Sequence, residues 1–362
     1  MDLRAYVDDG TVPGAVSLVA TGDSVEVQEA GIACGTTPMR RDTIFRIASV
    51  SKTITAAAVM LLVEDGRIAL DDPVGKWLPE LYEPTVVRTP ESPIDDVVPA
   101  KRPITVSDVL TFRAGYGFPA DFSLPAADLL IRAAHSGGDF HSQPAPDEWL
   151  ATLATVPMLG QPGESWLYHT CADIQSVLIA RVSGQSLPDF LAERVFEPLG
   201  MPDTAFEVPP GKRDRFTTGY SHDLKPADPV DGKWSTVPAF PSGGGGLVST
   251  ADDLRKFGQA LLGDTLLSRA SVGQLTTDHL TAGQRAAGEV FLEGQGWGFG
   301  GSVDVAQANP WNVPGRYGWI GGTGTTFHVI PATGTVTVLL TQVFLAGPSP
   351  TALMRDFWTS AS

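Results

Sequence analysis

Thr43-Ile44-Phe45-Arg46-Ile47-Ala48-Ser49-Val50-Ser51-Lys52 is the most informative stretch of the chain, because a β-rich run ends there at a serine and a lysine three residues apart. The continuation Thr53-Ile54-Thr55-Ala56-Ala57-Ala58-Val59-Met60-Leu61-Leu62-Val63-Glu64 has helical apolar spacing, and Asp65-Gly66 supplies a stop. Ser49 is therefore expected at or near a helix N-terminus. Residues i and i+3 share a helix face, so Lys52 should lie beside the Ser49 hydroxyl, with N-terminal amides facing any negative charge that develops there. Such a pair can activate a serine nucleophile without histidine.

The tetrapeptide alone carries little weight. With 7 lysines and 23 serines in 362 residues, chance supplies about 0.4 Ser-x-x-Lys matches per chain. A capping serine followed by a solvated lysine is the competing reading. The rest of the chain decides between them.

A chain of 362 residues, 43% hydrophobic and 18% charged, can bury a large core as one large or two intimate domains. Its net charge of -16 creates a field that repels phosphate, which argues against nucleic acid or an anionic membrane as partner. A small or neutral substrate fits better. Cys34 and Cys171 are too few for a disulfide framework and lack metal-ligand spacing, so buried or free thiols are expected. His135, His141, His169, His222, His279 and His328 form no short metal-binding pair, and no cofactor is expected. The stretch from Met1 to Gly10 lacks the basic start and apolar core of a secretory signal, and no window approaches the roughly 18 apolar residues of a membrane span. The reading is a cytoplasmic protein.

Strand signals sit at both ends. Gly14–Thr21 and residues 25–30 flank a hairpin connection at Gly22-Asp23-Ser24, and residues 316–320, Thr325–Ile330 and Thr335–Thr341 follow late in the chain. A closing helix is expected over 350–359. Between the ends the pattern is helical, with Val106–Leu110 and residues 126–134, 147–154, 173–183 and 188–195 as candidates. One sheet built from the two chain ends (1–60 and 245–362), with a mostly helical lobe (61–244) inserted, places the fold in the α+β or α/β region with segregated layers. A cleft between the lobes is the expected site. Residues 82–104 form the longest irregular segment, read as a surface excursion or a site rim.

Beyond Ser49 and Lys52, two further clusters bear on chemistry. In Pro162-Gly163-Glu164-Ser165-Trp166-Leu167-Tyr168-His169-Thr170, Tyr168 is the residue of interest. A phenol is a poor base at its ordinary pKa of about 10, but a nearby ammonium stabilises phenolate, so Tyr168 meeting Lys52 and Ser49 can accept the serine proton. Standing alone it reads as a core or rim aromatic. His169 is assigned a structural role, since adjacent residues point differently and no Asp follows at a diagnostic spacing. In Gly318-Trp319-Ile320-Gly321-Gly322-Thr323-Gly324-Thr325, glycines inside a strand pattern mark close approach to the backbone, either by a carbonyl oxygen or in a tight turn or bulge. Ser242-Gly243-Gly244-Gly245-Gly246-Leu247 lacks the Gly-Lys-Ser/Thr of a phosphate loop and reads as a close-approach or flexible loop. No serine stands in a Gly-x-Ser-x-Gly elbow, which removes the main argument for an α/β-hydrolase.

Taken in order, these motifs resemble the serine β-lactamase and penicillin-recognising superfamily, in the class C-like branch that holds family VIII carboxylesterases and D-stereospecific peptidases. The resemblance runs through Phe45 to Lys52, Glu64-Asp65-Gly66-Arg67-Ile68-Ala69-Leu70-Asp71-Asp72-Pro73-Val74, the Tyr168 segment, Pro198-Leu199-Gly200-Met201, Gly244 to Leu254 and the last glycine cluster. It implies a β-lactamase/transpeptidase-like α+β fold forming a single catalytic unit over 1–362. It also implies Ser49 as the acylated nucleophile, Lys52 as its proton partner and Tyr168 as sharer of the base role. The implied oxyanion hole is the backbone N–H groups of Ser49 and Gly322.

Two departures narrow the function. Thr170 stands where a class C β-lactamase has asparagine two residues after the tyrosine, and Trp319-Ile320-Gly321 stands where it has Lys-Thr-Gly. Tryptophan offers apolar surface and one N–H donor in place of a charge that helps hold a substrate carboxylate. The resemblance therefore implies a carboxylesterase acting on a small-molecule ester, short-chain or bulky, with Trp319, Gly321 and Thr170 as substrate-binding positions. Rim segments are expected at 82–104, 116–124 and 242–246. A β-lactamase, D-aminopeptidase or amidase, or an acyltransferase, would use the same acyl-enzyme, and a non-catalytic binding protein would use none of it.

Overall fold

In the computed structural model, which describes residues 1–133 and 140–361, strand β1 (Gly14–Thr21) turns through the two-residue connection Gly22-Asp23 into β2 (Ser24–Cys34). Gly22 has φ 56°, a left-handed value that glycine adopts without steric cost, and the turn pairs Thr21 with Ser24. Beyond β3 (Thr37–Pro38) the sheet is completed from the far end of the chain by β4 (Gly296–Trp297), β5 (Ser302–Val303), β6 (Tyr317–Gly321), β7 (Thr325–Ile330) and β8 (Thr335–Thr341). The strand order is β4-β5-β6-β7-β8-β1-β2-β3, antiparallel throughout. The α+β expectation holds: one antiparallel sheet is shared by both chain ends, and a mostly helical stretch is inserted between them.

Both faces of the central strands are covered, and every residue of β7 and β8 is buried. That is why Thr335-Val336-Thr337-Val338-Leu339-Leu340-Thr341 shows β-branched content rather than clean polar alternation. Helices after α1 (Leu3–Asp8) supply the cover. Helix α2 (Ser51–Glu64) is buried along its whole length from Ser51 to Leu62, lying between β6 and α3 (Thr170–Ser183). Its sequence lacks a polar face for this reason. Helix α4 (Ala251–Leu262) packs on β8 and β1, where a side chain at Gly258 would sit 2.6 Å from Val336. Helix α5 (Ala352–Ala361) closes the chain with Phe357 and Trp358 buried.

Several expected elements shift. The helix expected at 173–183 starts at Thr170, because Thr170 and Cys171 are buried and join its core face. The one expected at 126–134 runs Pro125–Ala133, and Ala134 and His135 lie outside the described residues. Residues 82–104 are not irregular throughout: Thr85–Val87 pairs with Val97–Pro99 in a small hairpin. Cys34 and Cys171 are free thiols, half-buried and buried. Among the described residues no helix is long and apolar enough to cross a membrane.

A buried ion pair ties the start of the serine motif to a later short strand, Pro226–Asp228. Arg46, 2% exposed, donates from Nε to Asp228 Oδ2 at 2.7 Å and from Nη1 to the Thr217 carbonyl at 2.7 Å, with its guanidinium 4.0 Å from the Phe216 ring centroid. Deleting one member strands a desolvated charge. Asp228→Ala is expected to cost roughly 3–5 kcal/mol, read as a lower urea midpoint at unchanged slope. A midpoint within error of wild type would show that water compensates Arg46.

Candidate active site

Ser49 sits in a 3-10 turn, Ala48–Val50, that feeds α2, one turn ahead of the regular helix. The approach is clamped. Ile47 N–H donates to Leu247 O at 3.0 Å, Thr325 Oγ1 donates to Ile47 O at 3.0 Å, and Thr323 Oγ1 donates to Arg46 O at 2.6 Å. Gly321 permits this contact, since a Cβ there would lie 2.3 Å from Ile47 O. Ala48 adopts φ 42°, a left-handed conformation costly for a residue with a side chain, directly before the serine.

Lys52 is completely buried one turn on. Its Nζ lies 3.0 Å from Ser49 Oγ and 3.0 Å from His169 Nδ1, and it donates to the Gly244 carbonyl. Burial lowers its pKa to about 7, against a smaller upward pull from the Asp173 carboxylate. A neutral amine is therefore available near neutral pH.

Tyr168 approaches from the segment before α3, its ring centroid 5.0 Å from Lys52 Nζ. The phenol oxygen accepts the Trp319 indole N–H at 2.7 Å, and Ser49 is near enough to favour the phenolate. Burial pushes Tyr168 up to about 12, with Ser49 and Trp319 opposing the rise. The three side chains meet, but the balance differs from an ammonium stabilising a phenolate. Desolvation acts on both groups toward neutrality, so the proton rests on the phenol and the amine is the stronger candidate base.

His169 is not merely packing. It holds φ 79° and ψ -66°, closing a γ-turn in which Thr170 N–H donates to Tyr168 O at 3.2 Å. A non-glycine residue in this region costs about 1–3 kcal/mol, so the surrounding structure imposes it. The ring stacks on Phe118, with centroids 5.6 Å apart and planes 6° apart. Its Nε2 lies 3.3 Å from Asp173 Oδ2. Asp173 follows at i+4, the spacing of one helical turn, and that spacing is the signal in the sequence that links the two residues. Burial and the Lys52 charge hold His169 below its ordinary pKa, opposed by Asp173.

A cavity of about 580 Å³ opens above Ser49, with Phe118, Phe122, Tyr168, Phe291, Trp319, Ile320 and Phe344 among its walls and Asp228 and Lys233 also on its lining. Gly322 lines it beside Ser49. Gly321 and Thr170 do not. Gly321 is consumed by its contact with Ile47 O, and Thr170 is buried in the first turn of α3. Phe118 and Phe122 bring residues 116–124 to the rim, whereas residues 82–104 contribute nothing to it. Residues 242–246 lie behind Lys52: Gly243 O accepts from Thr55 Oγ1 at 2.9 Å, and Gly243 N–H donates to Ser176 Oγ at 2.8 Å. A side chain at Gly243 would meet Thr55 Oγ1 at 2.6 Å. Among the described residues no group of three or more His, Cys, Asp or Glu side chains is placed to hold a metal ion.

Known proteins share this architecture. The Beta-lactamase family profile matches residues 2–355. Protein Rv1367c of Mycobacterium tuberculosis is 36% identical over 361 residues, covering 94% of this chain and 88% of its own. Esterase EstB of Burkholderia gladioli is 33% identical over 376 residues, covering 95% of this chain and 90% of its own. A solved structure of EstCE1, described as a hydrolase with promiscuous acyltransferase activity, superposes with a TM-score of 0.83 at 24% identity, covering 99% of this chain and 96% of that one. The family match spans nearly the whole sequence, and the chain belongs to the Beta-lactamase family.

Proposed function

We propose that the protein is a carboxylic ester hydrolase working through a Ser49 acyl-enzyme. The observation that carries this reading is the buried Lys52 amine in hydrogen-bond contact with Ser49 Oγ, at the base of a largely aromatic cavity. Neutral Lys52 takes the Ser49 proton as Oγ bonds to the ester carbonyl carbon. The carbonyl electrons move onto oxygen, where the backbone N–H groups of Ser49 and Gly322 are the proposed donors. Collapse expels the alcohol, protonated through Tyr168, and water then releases the acid by the reverse relay.

An ester suits this cavity because position 319 carries an indole whose N–H is already given to Tyr168, leaving an apolar face toward substrate. The 33% identity with a protein named as an esterase supports the same reading. Initial rates on p-nitrophenyl acetate, butyrate and octanoate against a chromogenic cephalosporin test it. Esters turned over faster are expected, and a cephalosporin faster than every ester would replace the esterase with a β-lactamase.

Trp319→Phe keeps the aromatic wall and removes only the N–H to Tyr168. It is expected to lower kcat about ten-fold with KM little changed. An unchanged kcat would show that the indole bond does not help Tyr168 in proton transfer.

Cavity size favours a second use of the same intermediate. About 580 Å³ lies in the range of sites for drug-sized ligands and exceeds what a butyryl group needs. An alcohol acceptor held beside the acyl-enzyme would divert the acyl group from water. Product analysis with added alcohols measures this partition, with ester product at millimolar acceptor marking an acyltransferase.

A further inference from the structure

Among the described residues Lys52 Nζ has three hydrogen-bonding neighbours, Ser49 Oγ, His169 Nδ1 and the Gly244 carbonyl, whereas a neutral amine has two N–H bonds and one lone pair. The carbonyl can only accept, so it takes one N–H. What His169 does decides where the lone pair points.

We propose that His169 is a positioning residue for Lys52: its Nε2 proton faces Asp173, its Nδ1 lone pair takes the second amine N–H, and the amine lone pair is thereby aimed at Ser49. The inference rests on the reading of Ser49 as nucleophile and adds a group to it that does not touch the reacting atoms. In the opposite tautomer Nδ1–H would point at the amine, compete for its lone pair and leave Ser49 without a base. Asp173 selects against that tautomer, because a carboxylate only accepts and lies 3.3 Å from Nε2.

The rest of the network locks this arrangement. Ser242 Oγ donates to Asp173 Oδ1 at 2.6 Å, and Gly244 N–H donates to Ser242 Oγ at 3.2 Å. Lys52, His169, Asp173, Ser242 and Gly244 therefore form a closed ring of contacts. Although burial would raise Asp173, its bonds to His169 and Ser242 and the Lys52 charge hold it below the usual carboxylate range. Stacking on Phe118 fixes the imidazole plane, and the γ-turn fixes its origin. When Ser49 gives up its proton the new ammonium has three N–H bonds and three acceptors already in place. The proton moves without side-chain rearrangement.

Among the described residues, the ionisable groups that act on Lys52 are Tyr168 and His169 from the γ-turn and Asp173 from α3. The glycine loop contributes only Ser242 and the Gly244 carbonyl. Loss of the Asp173 charge must then make the ammonium harder to form, moving the pH at which Lys52 becomes neutral downward.

The test is the second-order rate of Ser49 labelling by a fluorophosphonate probe, followed by intact mass across pH, which needs no ester turnover. Wild type is expected to rise to a plateau through about pH 7. His169→Leu should lower the plateau by about 10–100-fold through loss of alignment. His169→Asn, which keeps an acceptor near the Nδ1 position, should recover most of that loss. Asp173→Asn should shift the acid limb to lower pH. A purely structural role would lower the unfolding midpoint and leave plateau and limb in place, and that result overturns the proposal. Should a variant fail to fold, ¹⁵N shifts of histidine-labelled wild type decide: a proton on Nε2 of His169 supports the proposal, and one on Nδ1 overturns it. A wild type labelled at Ser49 that hydrolyses no ester sinks the esterase reading alone, whereas ester turnover with an unaffected His169→Leu sinks only the role of His169.

Discussion

Ser49→Ala is expected to lower kcat on p-nitrophenyl butyrate by roughly 10⁴-fold or more, the scale seen when a nucleophile working within a coupled set is deleted. The substitution removes one oxygen from a clamped turn and changes little else. Lys52 keeps its contacts with His169 and Gly244, so unfolding by urea should shift only slightly. Without Oγ no acyl-enzyme forms, and intact mass should show an acyl adduct on wild type during turnover and none on the variant. Turnover at the wild-type rate by Ser49→Ala would remove Ser49 from the mechanism and the acyl-enzyme with it.

The second large effect belongs to Lys52 and is written in the pH profile. The amine must be neutral to accept the serine proton, and burial brings its pKa down to about 7. Activity is therefore expected to be lost as pH falls through that value and retained above it. At pH 5, two units lower, kcat/KM should stand about 100-fold below the plateau. Tyr168, pushed up to about 12, stays protonated to well beyond pH 10, so no alkaline limb is expected below that. Lys52→Met should lower the plateau by roughly 10²–10⁴-fold and abolish the limb near 7, since the titrating group is gone. A wild-type profile flat from pH 5 to 8, or a limb that survives in Lys52→Met, would assign the titration to another group.

Much of the scaffold was legible because its signals are local. Gly14–Thr21, Thr325–Ile330 and Thr335–Thr341 appear at their expected bounds, since β-branched runs bordered on at least one side by glycine or proline carry their own punctuation. Helix Val106–Leu110 also matches, started by a Thr105 capping box with Asp108 that needs no distant partner. Helix ends moved where tertiary contact overrode local preference, as at Thr170, whose burial extends α3 backward.

Within the candidate site the serine–lysine contact was readable from spacing along one helix, and the surroundings were not. Neighbours in sequence usually diverge, yet the γ-turn swings the His169 ring onto Lys52 while the Tyr168 hydroxyl meets the Trp319 indole beside Ser49. Gly321 and Gly322 looked alike as residues inside a strand pattern. Only packing separates them, one pressed on Ile47 O and the other facing the cavity.

The α+β order of elements, the central helix and the placement of Lys52 beside Ser49 follow from the order of residues alone, as consequences of periodicity and of a three-residue spacing. The proton balance of the site arises only from packing in three dimensions. Lys52 meets His169 across 117 residues and Gly244 across 192, and its burial comes from α3, β6 and the glycine loop folding around it. Desolvation and orientation depend on what excludes water in three dimensions, so no local pattern can set an amine near 7 beside a phenol near 12.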